Sequence, residues 1–202
     1  MILIGVTGPI ASGKTCVCQT FIEMGALLID LDKMGHEVLE EPSTKVKLIE
    51  FFGDDIVDDD GSVDRKRIAD LVFPDEMVLK RLEDITHPVL IKRLQVRINN
   101  LRDSRFPGLV VIDAAMLPKW PDVIGKLDYL VMVQSPKWQR TNRLVQDRGY
   151  PLEQAELRIK SQEALFEKIK SEIDYLIKNN GDLLELRTKS VKVWLDIKEN
   201  GS

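Results

Sequence analysis

Eight consecutive residues, Gly8-Pro9-Ile10-Ala11-Ser12-Gly13-Lys14-Thr15, match the spacing G-x-x-x-x-G-K-[ST]. The chemistry this spacing serves is phosphate binding. Glycines let the chain reverse tightly, so that backbone N–H groups point at phosphate oxygens. A helix beginning beside Gly13 adds the positive end of its dipole. Lys14 is placed to reach β- and γ-phosphates, and the Thr15 hydroxyl to complete the shell of a magnesium ion. The context is the one the motif needs: a short apolar run over 2–6 precedes it, and Val17, Phe21 and Met24 follow at helical spacing. These residues predict a nucleoside triphosphate site, and an ordinary glycine-rich turn fits that context poorly.

The remaining residues narrow the reaction. A guanine-reading [NT]-K-x-D segment is missing, since Thr188-Lys189-Ser190-Val191 lacks the Asp, and two D-x-x-G matches are too short to carry weight. Asp113, at the end of an apolar run, is followed by Ala114 and Ala115, so no carboxylate stands there to activate water for hydrolysis. A phosphotransferase, in which an acceptor hydroxyl replaces water, then needs a base and a set of cations. Asp30 and Asp32, at the end of a second short strand, are expected to point the same way on an extended chain. One would accept the acceptor's proton and the other would help hold magnesium or orient the loop; a solvated pair closing a strand is the alternative. Arg140, Arg143 and Arg148 lie in a polar helical stretch with no evident apolar stripe, either to stabilise a transferring phosphoryl group or as a solvated face. The acidic cluster Asp54-Asp55 and Asp58-Asp59-Asp60 lacks the spacing and terminal Glu of a calcium loop and reads as a solvated turn around Gly61.

The elements that must position these groups are visible in the hydrophobic pattern. With 202 residues, 44% hydrophobic, the chain can form one core with an insertion, and a net charge of −4 argues against a wholesale nucleic-acid or anionic-membrane binder. The amino terminus reads as a strand, not a signal peptide, and no apolar run is long enough to span a bilayer. Cys16 and Cys18 suit neither a zinc site nor a disulfide, which points to a reducing, cytoplasmic setting. Short apolar strands are expected at 2–6, 27–29, 109–112, 129–133 and 175–177, the first two joined by a helix over 13–24 as a parallel crossover. The stretch 33–107 is helical, with a helix start at Pro74-Asp75-Glu76, a break at His87-Pro88, and a further helix carrying Leu90, Leu94, Ile98 and Leu101. A polar helical region over 136–169 is interrupted at Gly149-Tyr150-Pro151, and Asp182 with Glu185 forms a capping box before the last helix. The fold class is α/β.

The motifs together resemble the dephospho-CoA kinase family over nearly the whole chain. Beyond the phosphate loop, Leu28-Ile29-Asp30-Leu31-Asp32 is similar to its V-x-D-A-D segment, Phe52-Gly53 to its F-G, and Asp60-Gly61-Ser62-Val63-Asp64-Arg65 to its D-G-x-L-D-R. Val72-Phe73 resembles V-F, Leu82-Glu83-Asp84-Ile85-Thr86-His87-Pro88 resembles L-E-x-I-x-H-P, Arg158-Ile159-Lys160-Ser161-Gln162 resembles R-I-x-x-Q, and 174–179 with Gly181 echoes A-D-x-V-I-x-N-x-G. The resemblance implies a P-loop kinase fold, a parallel sheet flanked by helices, with a core at 1–33, 108–138 and 170–202, a helical dephospho-CoA-binding insertion at 34–107 and a helical lid at 139–169. It implies transfer of the ATP γ-phosphoryl group to the ribose 3′-hydroxyl of dephospho-CoA, with Mg2+, as the last step of coenzyme A synthesis; no element of the sequence suggests a stable protein partner. By position, Asp32 becomes the general base; Gly8, Ala11, Ser12, Gly13, Lys14, Thr15, Cys16 and Asn179 the nucleotide contacts; Thr15 a magnesium ligand; Arg65 and His87 substrate-side residues; Arg143 or Arg148 lid cations. Taken alone, Asp64-Arg65 reads equally as a helix start with its cap, and His87 as a junction histidine. Departures fall at Pro9, Ala11 and Cys16, where the family usually has Gly, Gly and Thr, at Ala115 and Lys119 in the segment 113–119, and in the spacing of Gln139, Asn142 and Arg143. From the residues alone, another small-molecule kinase and a non-catalytic nucleotide-binding regulator also remain open.

Overall fold

All five expected apolar runs form strands, and they pair in parallel in the order β2-β3-β1-β4-β5. The computed structural model describes residues 1–72 and 74–201; Phe73, of the Val72-Phe73 pair, lies outside the described residues. The elements are β1 (Ile2–Thr7), α1 (Lys14–Glu23), β2 (Leu27–Asp30), α2 (Leu31–Leu39), α3 (Pro42–Phe52), α4 (Arg65–Val72), α5 (Glu76–Asp103), β3 (Leu109–Asp113), α6 (Pro121–Ile124), β4 (Tyr129–Gln134), α7 (Lys137–Gln146), α8 (Leu152–Glu167), β5 (Tyr175–Lys178) and α9 (Leu183–Asn200). They form two compact units, Met1–Asp30 with Arg105–Ser202, and Leu31–Ser104. No helix among the described residues is long and apolar enough to cross a membrane.

In the first unit the sheet is covered on both faces, which explains why its strands read as unbroken apolar runs. On one face Ile4, Val6, Val111, Val131, Val133 and Ile177 pack against Val17, Cys18 and Phe21 of α1 and Leu186, Trp194 and Ile197 of α9. Phe21 and Trp194 meet with ring centroids 5.4 Å apart. On the other face Gly5 is crowded, so that an added Cβ would strike side chains of Leu117, Leu127 and Leu130. Met24, expected on the apolar side of α1, instead lies just past the helix and is exposed, because Gly25 turns the chain at φ 102° immediately afterwards.

Two aspartates pin the strand register at the edge opposite the phosphate loop. Asp128, just before β4, accepts the Leu3 N–H at 2.7 Å and returns its own N–H to the Leu3 carbonyl at 2.9 Å. Asp174, just before β5, does the same with Leu130, at 2.7 and 3.0 Å. A one-residue slip would break both exchanges.

The second unit is built around α5, against which α2, α3 and α4 pack. Its core is Leu48, Ile56, Val63, Ile68, Val72 and Ile85. The turn before α4 holds Gly61 at φ 84°, and Asp60 accepts from the Ser62 N–H and hydroxyl at 2.8 and 2.7 Å, so the acidic cluster is a hydrogen-bonded turn. Those two bonds hold the Asp60 carboxyl below the usual carboxylate value. The expected break at His87-Pro88 does not occur: α5 runs 28 residues from its Asp75 cap straight through Pro88. A proline inside a helix costs about 3 kcal/mol, and burial of Ile85 before it and of Leu90, Leu94 and Ile98 after it outweighs that cost.

Asp174→Ala removes the charged carboxylate that accepts the Leu130 N–H at a strand start. It should lower stability by about 2 kcal/mol, or about 5 °C in melting temperature. Urea and thermal unfolding followed by circular dichroism check this, with Asp182→Ala, at the cap of α9, as a milder comparison.

Candidate active site

At the end of β1 the chain reverses over the carboxyl edge of the sheet and enters α1. The reversal needs its glycines for different reasons. A Cβ on Gly8 would run into the Val133 carbonyl oxygen of β4. Gly13 sits at φ 101°, and a Cβ there would collide with the Asn179 amide. That close approach is used: Asn179, buried just after β5, donates Nδ2 to the Ser12 carbonyl at 2.8 Å.

Other side chains grip the loop along its length. Arg143 of α7 donates Nη1 to the Ala11 carbonyl at 2.9 Å. Gln162 of α8 accepts the Ile10 N–H at 2.7 Å, and the Pro9 carbonyl accepts the Ser12 N–H at 3.0 Å. The Ser12 hydroxyl is buried without a hydrogen-bond partner among the described residues. A buried orphan hydroxyl is costly in an apolar setting and suits a phosphate oxygen. Lys14 pairs with Asp113 at the end of β3, both side chains largely buried. Asp30 stands beside Asp113 in strand register, so two carboxylates close the edge next to the loop.

Cys18 lies against this pair. Burial, and then the Asp113 carboxylate, push its thiol well above the ordinary value, and it is hydrogen-bonded to Asp113. Cys16, half-buried, is raised by burial to a lesser degree. Thr15 is exposed in the first turn of α1. Among the described residues no group of three or more His, Cys, Asp or Glu could hold a metal ion. Thr15 with the Asp113 and Asp30 carboxylates is a hard-oxygen set of the kind magnesium uses when phosphates supply its other ligands.

The arginine-bearing helices meet the loop through a small apolar cluster. Leu144, Ala155 and Ile159 form a buried cluster to which Ile10 and Ala11 of the loop add their side chains. α7 has no apolar stripe of its own beyond Leu144, its one buried apolar residue, with Val145 half-buried beside it; the loop supplies the partner surface. Arg140 is buried, donates Nε to the Ser135 carbonyl at 3.1 Å, and burial pulls its guanidinium below the ordinary value. Arg148 is exposed in the turn after α7, with no side-chain hydrogen bond or ion pair to another described residue. Arg158 stacks 4.7 Å over the Tyr150 ring.

The structure thus brings Gly8, Ala11, Ser12, Gly13, Lys14, Thr15, Cys16, Arg143 and Asn179 together within the first unit. Asp32, Arg65 and His87 belong to the second. The expected common face of Asp30 and Asp32 is not found: β2 ends at Asp30, and Asp32 lies in the first turn of α2. Asp64 caps α4, accepting from the Lys66 and Arg67 N–H groups at 2.9 and 3.0 Å. Arg65, exposed at the first position of α4, lines an open cleft of about 530 Å³ with His36, Asp58, Ser62 and Lys66. His87 is half-buried inside α5. Sequence reasoning assigned no role to Ser135, Gln139 or Gln162, all of which contact the loop or its supports. The four-residue spacing of Ser135, Gln139 and Arg143 was the available signal.

The family model for dephospho-CoA kinase matches residues 2–185. A dephospho-CoA kinase of Aquifex aeolicus is 35% identical, with 96% of each chain covered. Among solved structures, a Thermus thermophilus protein superposes with a TM-score of 0.79 at 28% identity, covering 96% of each chain. A dephospho-CoA kinase from Campylobacter jejuni gives a TM-score of 0.64 at 25% identity over the same shares.

Ala11 holds φ 60°, a left-handed conformation open to glycine and strained for a β-branched residue. Ala11→Val should lower the melting temperature by about 5 °C and weaken ATP binding at least ~10-fold, whereas Ala11→Gly should leave both nearly unchanged. Thermal melts and titration calorimetry distinguish the two, and equal tolerance of both substitutions would contradict the geometry.

Proposed function

The chain belongs to the dephospho-CoA kinase family, and we propose how its own residues divide the reaction among them. The reaction is ATP-dependent phosphorylation of the ribose 3′-hydroxyl of dephospho-CoA, giving coenzyme A and ADP, the last step of coenzyme A biosynthesis. The observation that carries the reading is the phosphate loop at the carboxyl edge of the sheet, its Ala11 and Ser12 carbonyls held by Arg143 and Asn179, with Lys14 paired to Asp113.

Loop N–H groups, the Ser12 hydroxyl and Lys14 bind the triphosphate. Gly8, Ala11, Gly13, Thr15 and Cys16 shape or flank that cradle. Mg2+ is the proposed metal: Thr15 would hold it with the neighbouring carboxylates, and it would supply neutralisation of the β- and γ-phosphate charge. Asp32 is the proposed base. It opens α2 two residues beyond Asp30, so the chain tethers it within about 7 Å, Cα to Cα, of the sheet's carboxyl edge. It takes the proton of the 3′-hydroxyl as that oxygen bonds phosphorus and the bond to the ADP oxygen breaks. Arg143 is the proposed cation for the charge spread over the transferring group, with Arg148 in the adjoining turn as a second. Arg65, exposed on a polar cleft of the helical unit, and His87 are proposed on the acceptor side, which makes the unit Leu31–Ser104 the dephospho-CoA-binding part and the α7–α8 pair the lid. The cytoplasm is the proposed setting, where Cys16 and Cys18 stay as the free thiols observed.

Asp32→Asn should reduce turnover by at least ~10²-fold while ATP affinity stays within about threefold, as expected when a general base is lost. An ADP-release assay over an acceptor panel of dephospho-CoA, adenosine, AMP and shikimate checks both role and substrate. Near-normal turnover of the variant would remove Asp32 from the mechanism, and release driven by a nucleoside or nucleotide would point to a different acceptor.

A further inference from the structure

The two tied carbonyls of the phosphate loop, those of Ala11 and Ser12, are connected to each other through a second set of side chains. Ser135, buried at the end of β4, has one hydroxyl proton, and it goes to Gln139 Oε1 at 2.8 Å. That leaves the oxygen lone pairs for Arg143 Nη1 at 3.3 Å, the same nitrogen that donates to the Ala11 carbonyl at 2.9 Å. With its oxygen committed to Ser135, the Gln139 amide presents Nε2 to the Asn180 carbonyl at 2.9 Å. Asn180 follows Asn179, whose amide donates to the Ser12 carbonyl at 2.8 Å. Each donor meets an acceptor, so the circuit runs in one sense only.

The arrangement has a simple origin. Gln139 and Arg143 are four residues apart on α7 and so project toward the same side, and Ser135, just before the cap Pro136, meets both of them there. The Ser135 carbonyl also anchors Arg140 at 3.1 Å, which fixes this end of the helix against rotation.

We propose that Ser135 and Gln139 are positioning residues for phosphoryl transfer, holding the Arg143 guanidinium in register with the phosphate loop. The proposal rests on Arg143 being the charge-stabilising cation. A long arginine side chain has many rotamers, and one carbonyl contact leaves most of them open; the Ser135 hydroxyl removes that freedom before the reaction begins. Gln139 in turn keeps the hydroxyl proton away from Arg143, so that the oxygen meets the cation as an acceptor.

The test is steady-state kinetics with ATP and dephospho-CoA on Ser135→Ala, Gln139→Ala, Arg143→Ala and the Ser135→Ala/Arg143→Ala double variant, with melting temperatures recorded for each. Ser135→Ala should lower kcat about tenfold with the KM for ATP within about threefold, and Gln139→Ala should show the same split more weakly. Arg143→Ala should lower kcat by about 10²-fold. The double variant should be no worse than Arg143→Ala alone, since Ser135 acts through that residue. Ser135→Thr, which keeps the hydroxyl, should recover kcat to within about threefold of wild type. A Ser135→Ala kcat within twofold of wild type, or a double variant losing the product of the single effects, overturns the proposal alone. An Arg143→Ala enzyme with normal kcat overturns the reading of Arg143, and this proposal with it.

Discussion

A chain reversal that presents N–H groups to a polyanion must first dispose of its own carbonyls. In this protein the Ala11 and Ser12 carbonyls are taken up by Arg143 and Asn179, and the rest of the first unit follows from that requirement. Arg143 must come from a helix leaving β4, and Asn179 from the end of β5, so both strands must lie on the same side of β1. The observed order, with β4 and β5 beyond β1, satisfies this. Asp128 and Asp174 then fix the register from the opposite edge, so that the carboxyl ends of the strands arrive at a common height. Gly8 and Gly13 are required because Val133 and Asn179 approach the backbone where a side chain would stand.

The departures from the family's usual residues are absorbed locally. Pro9 lacks an N–H, yet its carbonyl still accepts from Ser12 and closes the turn. Ala11 accepts a left-handed φ and in return packs its methyl with Leu144, Ala155 and Ile159. In the segment 113–119, Ala114 is buried and donates its N–H to Val6, and Leu117 and Pro118 are buried in a short 3-10 turn beneath the sheet. The altered residues Ala115 and Lys119 are only half-buried beside these core residues, and Asp113, the residue that meets Lys14, is intact.

Much of the frame could be read in the sequence, because buried parallel strands leave an unmistakable mark. Runs such as Leu109-Val110-Val111-Ile112 have no amphipathic alternative, and each begins within a residue of its expected position. What could not be read was decided by tertiary contacts. Pro88 looked like a stop, but the buried residues on both sides of it, Ile85 before and Leu90, Leu94 and Ile98 after, carry the helix through. Asp32 looked like a strand residue two places from Asp30, but the helix begins at Leu31 and turns it away from that alignment. The Arg-rich helix looked solvated because its apolar partners, Ile10 and Ala11, lie over a hundred residues away in sequence. The loop itself was legible as a motif; its support Gln162 was not, since a hydrogen bond from a polar side chain to a distant backbone leaves no periodic trace, and Ser135 and Gln139 left only their four-residue spacing with Arg143.

The central claim is that this loop binds ATP for transfer to dephospho-CoA. Its most direct test is ADP release from magnesium-ATP, with and without dephospho-CoA, by the wild-type chain and by Lys14→Ala. Release that requires dephospho-CoA and falls by at least ~10²-fold in the variant is the expected result. Release that is indifferent to dephospho-CoA, or that survives the loss of Lys14, would contradict it.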